Sequence, residues 1–178
     1  MKRIKIISVI LILLLAVFQS VFITVAAEEE KELSVSLVEV DRRETDNTLS
    51  ITYDIVPNEE GTDMYSSRYI SWGTAVLTGE KLNSYTMDFD ITVTIFNSTI
   101  SSCYVEIWNG DSYTTLVSHP AGISNKTKLG CQHVYTYGGE YEAYVSEVTV
   151  FPVVGSTIKQ IGILSKMYFT ITQGFLEY

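Results

Sequence analysis

Among the carboxylates that stand two residues apart in this chain are Asp88 with Asp90 and Glu140 with Glu142. On a β-strand that spacing puts both side chains on one face, roughly 6 to 7 Å apart at the backbone. Such a pair suits the two acids of a glycoside hydrolase, and it suits two solvated charges equally well. The neighbours separate the two cases. Met87, Phe89 and Ile91 alternate with Asp88 and Asp90, so that pair reads as the wet face of a half-buried strand. Tyr141, Ala143 and Val145 read as the buried set opposite Glu142 and Tyr144, which leaves Glu140 and Glu142 as the pair to weigh for hydrolysis.

Other chemistries fare worse. The only histidines are His119 and His133, no Gly-x-Ser-x-Gly elbow accompanies them, and a Ser-His-Asp triad would have to come from scattered residues. There is no His-Glu-x-x-His and no cluster of histidine and cysteine, so no zinc site is expected. Asn58, Glu59, Glu60 and Asp63 form one oxygen-rich loop, and Asp41, Glu44, Asp46 and Asn47 form another. Neither follows the EF-hand spacing, and both read as acidic turns without calcium. The expectation is a non-enzymatic protein with no catalytic residue, no metal and no cofactor.

The remaining positive signal is aromatic: twelve tyrosines and two tryptophans. On a β-surface such rings serve as flat platforms for sugars or as anchors at a protein interface. With Cys103, Val105 and Ile107 facing the core, Tyr104, Glu106 and Trp108 face outward as an aromatic and acidic strip. The ligand-binding candidates are Trp108, Tyr104, Tyr144 and Trp72. Tyr135 and Tyr137 are expected to share one strand face, as are Glu142 and Tyr144.

The elements that must position these residues are strands. Tyr85, Met87, Phe89, Ile91, Val93 and Ile95 are apolar at alternate positions, and shorter patterns run through Leu49–Ile55, Cys103–Ile107 and Met167–Ile171. Asn109-Gly110-Asp111, Gly138-Gly139, and Pro152 with Gly155 supply turns. Seven to nine short strands without helical segments predict an all-β, antiparallel β-sandwich of immunoglobulin-like architecture. Cys103 and Cys131 lie too close in sequence for the usual immunoglobulin pair. In an oxidising exterior they are nonetheless expected to form one disulfide, stabilising the fold by about 3 to 4 kcal/mol.

The chain divides into 1–27, an acidic lead at 28–63 that can carry a hairpin at 33–56, and a sandwich domain at 64–178. Lys2, Arg3 and Lys5 precede the apolar run Ile6–Val17, and Val25-Ala26-Ala27 closes it with small residues. That pattern predicts a secretory signal helix cleaved after Ala27. The alternative is an uncleaved N-terminal anchor, since Ile6 to Ala27 is long enough to span a bilayer. Cleavage removes three basic and no acidic residues, leaving 9 basic against 21 acidic side chains, a net charge of −12. Such a surface disfavours nucleic acid and stable association with anionic membranes.

From Met64 on, the chain resembles a recurring group of small secreted Gram-positive bacterial proteins of unassigned function. The likeness rests on Met64-Tyr65-Ser66-Ser67-Arg68-Tyr69-Ile70, on Tyr104-Val105-Glu106-Ile107-Trp108, and on Gly139-Glu140-Tyr141-Glu142-Ala143-Tyr144-Val145, and it covers residues 64 to about 150. It implies a β-sandwich and export, and carries no functional residues. The expected function is a secreted binding module for an extracellular glycan or cell-surface protein. The alternatives are an effector or antagonist acting on neighbouring cells and, less favoured, a small glycoside hydrolase.

Overall fold

The structure, a computed structural model, describes residues 32–58, 70–153 and 156–174. The signal segment 1–27, the boundary at 63/64, and Glu59, Glu60 and Asp63 lie outside the described residues.

Every regular element among the described residues is a strand: β1 (Leu33–Glu44), β2 (Thr48–Pro57), β3 (Gly73–Lys81), β4 (Thr86–Ile95), β5 (Ile100–Trp108), β6 (Tyr113–Ser118), β7 (Lys126–Val134), β8 (Gly139–Pro152), β9 (Ile158–Ile161) and β10 (Met167–Ile171). These ten replace the expected seven to nine. Among them β9, with four residues, is too short to show an alternation of its own.

The strands form two five-stranded sheets. In the first, β1, β2, β3, β4 and β7 are antiparallel neighbours in that order. In the second, β6 pairs β5 and β5 pairs β8, while β10 and β9 pair successive stretches of β8. Only β1 with β9 is parallel, where Leu33 and Ser34 face Ile158 and Lys159 and link the sheets along one edge. At the other edge β6 approaches β7, and Thr127 Oγ1 donates to Ser118 Oγ at 2.8 Å.

Alternation builds the core. Met87, Phe89, Ile91, Val93 and Ile95 of β4 are all buried, as are Ile51, Tyr53 and Ile55 of β2 and Cys103, Val105 and Ile107 of β5. The Phe89 and Phe169 rings meet at 6.0 Å between the sheets, and the Ser165 amide donates to Tyr53 Oη at 3.1 Å. Two β-bulges re-phase the second sheet. Ser101 is the extra residue of one, which lets Ile100 and Cys103 both face inward. Ser146 is the extra residue of the other, which does the same for Val145 and Val148.

The expected disulfide is absent, and the cysteines are free. Both face the interior, but the register holds them apart along the strands. Cys103 pairs Ser118, which is bonded to Thr127, whereas Cys131 lies beside Thr114, which pairs Ile107. Four residues of strand, roughly 13 Å, therefore separate their levels, well beyond the reach of an S–S bond. Burial pushes the Cys103 thiol up to about 12 and raises that of Cys131 as well.

Candidate functional site

The outward face of the second sheet carries a row of large side chains across three strands. Trp108 of β5 stands directly opposite Tyr113 of β6 on one side and Tyr144 of β8 on the other. The hairpin turn sets this row. Asn109 accepts from the Asp111 and Ser112 amides at 3.0 and 2.8 Å, and Gly110 adopts φ 96°. A Cβ at Gly110 would stand 3.1 Å from Tyr141 Cβ, so glycine supplies both the backbone conformation and the clearance.

The rings form one cluster. Trp108 lies 4.8 Å from Tyr113 and 6.4 Å from Tyr144, the latter nearly parallel at 29°. The two tyrosine hydroxyls meet at 3.0 Å, closing a bridge across three strands. Trp108 is half-buried beneath this bridge, while Tyr113 is 54% exposed. The hydrogen bond to Tyr113, and then burial, raises the pKa of the Tyr144 phenol.

A polar flank continues the row. Lys166 Nζ lies 5.9 Å from the Tyr144 ring centre and 2.9 Å from Glu142 Oε1. The Lys166 ammonium, helped by the Tyr168 hydroxyl, holds Glu142 below the ordinary carboxylate range against the opposing effect of burial. Glu142 is thus kept as a charged acceptor, and a solvent-screened pair of this kind contributes little to stability. Further along the same face, Glu106 Oε2 accepts from Ser146 Oγ at 2.6 Å, and Glu147 is 3.5 Å from Lys159 Nζ.

Of the four binding candidates, the fold brings Trp108 and Tyr144 into contact. Tyr104 shares their outward face but sits four strand residues from Trp108, opposite Val117 and Thr149. Trp72 belongs to the other sheet: its carbonyl accepts from the Phe96 amide and its ring packs against the core. Tyr113, Lys166 and Tyr168 were not singled out in the sequence. Tyr113 was accessible, because a four-residue turn after Trp108 places it opposite that tryptophan.

Tyr135 and Tyr137 do not share a strand face, because β7 ends at Val134 and both lie in the following turn. Tyr135 is 1% exposed and its hydroxyl donates to the Asn109 carbonyl, whereas Tyr137 is 71% exposed. Glu140 and Glu142 do share a face of β8, opposite Thr170 and Tyr168. Asp90 pairs Lys128 at 2.7 Å, and burial followed by the neighbouring Asp90 charge raises the pKa of Asp88. His133 Nε2 lies 3.2 Å from Asp111 Oδ2, and His119 is exposed in the loop after β6. Among the described residues no three His, Cys, Asp or Glu side chains converge to hold a metal ion.

The chain matches no protein-family model, no curated protein and no solved structure.

Proposed function

We propose that this chain is an exported, non-enzymatic binding module that engages an extracellular glycan through the outward face of its second sheet. The observation that carries this reading is the row Tyr113, Trp108, Tyr144, Lys166: three rings in mutual contact, held by a hydroxyl bridge and flanked by a charged acceptor and an ammonium donor. Sugar rings present apolar C–H faces that stack on aromatic rings, and their hydroxyls need partners of both signs. Cross-strand pairing fixes the row before any ligand arrives, which lowers the ordering cost of binding.

The two sheets are read here as a sandwich, since their inward faces together supply the core. The immunoglobulin-like comparison extends to architecture alone. Export rests on the basic, apolar and small-residue pattern of residues 1–27. Engagement of a protein on a neighbouring cell is a second reading, favoured by Val117 and Ile161, which expose apolar side chains on the same face as the aromatic row. Probing a glycan array with the purified protein and its Trp108→Ala variant tests the first reading. Binding to a defined glycan class, lost in the variant, supports it. Absence of glycan binding together with capture of a defined surface protein would transfer the face to the second.

A further inference from the structure

Charge on the outward face of the second sheet is unevenly answered. Its two ammonium groups are already engaged, Lys166 by Glu142 at 2.9 Å and Lys159 by Glu147 at 3.5 Å. Glu106 differs. It is half-buried, its Oε2 accepts from Ser146 Oγ, and it meets no ammonium or guanidinium among the described residues. The charge left over beside the aromatic row is therefore negative.

Register fixes where that charge sits. Glu106 stands between Tyr104 and Trp108 on the outward side of β5, roughly 6 to 7 Å along the strand from each. The Tyr144 phenol, raised first by its hydrogen bond to Tyr113, also feels the Glu106 charge, so the carboxylate borders the ring cluster. Across the β5–β8 ladder Glu106 pairs Glu147, and carboxylates directly opposite each other repel. Glu147 is answered by Lys159 and by the Thr149 hydroxyl, which donates at 2.9 Å. Glu106 has the Ser146 hydroxyl alone. The fold thus holds a half-buried carboxylate against a like charge and beside three rings, an arrangement that costs stability in the free protein.

Resting on the glycan reading of this face, we propose that its ligand is an amino sugar with free amino groups, the sugar ring stacked on Trp108 and the ammonium held by Glu106. Charge complementarity selects the class. A uronate or a sulfated sugar would meet Glu106 and Glu147 with no uncommitted cation to receive it, and a neutral sugar would leave the Glu106 charge unanswered. An ammonium answers the carboxylate and is also attracted to the faces of the flanking rings. N-acetylation removes that charge, so the face distinguishes the free amine from its acetylated form.

Titrating the full chain calorimetrically with β-linked tetramers of glucosamine, N-acetylglucosamine and glucose tests the inference. The glucosamine tetramer is expected to bind about tenfold more tightly than the other two, the discrimination one charge-assisted contact supplies. Glu106→Gln should remove that preference, keep affinity for the N-acetylated tetramer within about twofold, and raise the denaturant midpoint by relieving the repulsion from Glu147. Glu140→Gln, which removes an exposed carboxylate elsewhere on β8, should leave the preference intact. Equal binding of the glucosamine and N-acetylated tetramers, a preference that survives Glu106→Gln, or an equal loss in Glu140→Gln would overturn the amino-sugar assignment. The glycan reading would then still stand wherever Trp108→Ala abolishes binding. Binding of no tetramer and of no glycan on an array would remove that reading, and the amino-sugar assignment with it.

Discussion

Strand β8 contributes to two aromatic clusters with opposite fates. Inward, Tyr141 meets Tyr135 at 4.5 Å and stacks on Phe169 at 5.9 Å, with Phe89 and His133 at the margins. Outward, three residues along, Tyr144 joins Trp108 and Tyr113. The residue types are nearly the same, and what differs is the disposition of the hydroxyls. Tyr135 spends its hydroxyl on the buried carbonyl of Asn109, fastening the β5–β6 turn to the end of β7. Tyr113 and Tyr144 give theirs to each other at the surface, where a ligand hydroxyl can compete. The inner cluster therefore belongs to stability and, under the proposed function, the outer one to recognition, although the inner cluster anchors the turn on which the outer row depends.

If that division holds, substitutions in the inner layer act on folding first. Phe89→Ala should cost about 3 to 5 kcal/mol in denaturant unfolding, because Phe89 is fully buried between the sheets. A loss below about 1 kcal/mol would mean the sheets are not packed through this ring. Tyr135→Phe keeps the ring and removes the donor to Asn109, for an expected loss of about 1 to 3 kcal/mol. Amide exchange should localise that effect to residues 109–112.

A smaller effect concerns Cys103. Its thiol ionises at the ordinary value of about 8.5 when unfolded and is pushed up to about 12 in the fold. The folded state therefore keeps a proton the unfolded state has lost. Stability is fully present below the unfolded value and falls as pH rises from there toward the folded one. Cys103→Val, nearly isosteric, should change neutral stability by less than about 1.5 kcal/mol and should flatten the alkaline decline. An unchanged alkaline slope would show that the thiol is not held in the dry interior.

Much of this division was legible in the residues. The alternation at 85–95 announced β4 and its faces, and Cys103, Val105 and Ile107 correctly assigned Tyr104, Glu106 and Trp108 to the outside. What alternation cannot report is level along a strand. Cys103 and Cys131 both point inward as their neighbours suggest, yet cross-strand register sets them roughly 13 Å apart. The same blindness grouped Tyr104 with Trp108 and left Trp72, which belongs to the other sheet, among the binding candidates. Lys166 and Tyr168 carried no signal of their own, because β10 reaches Glu142 only through its pairing with β8.

The central claim is that Trp108, Tyr113 and Tyr144 exist for binding while Tyr135 and Phe89 exist for the fold. Titrating the strongest glycan from an array against the parent protein, Trp108→Ala and Tyr135→Phe tests it most directly, with unfolding curves for all three. The account predicts that Trp108→Ala loses at least about tenfold in affinity, or 1.4 kcal/mol, at a stability cost of about 1 kcal/mol. Tyr135→Phe, measured below its unfolding transition, should show the reverse: lowered stability with affinity retained within about twofold. Parent-like glycan affinity in Trp108→Ala, or no glycan bound by the parent at all, would contradict it.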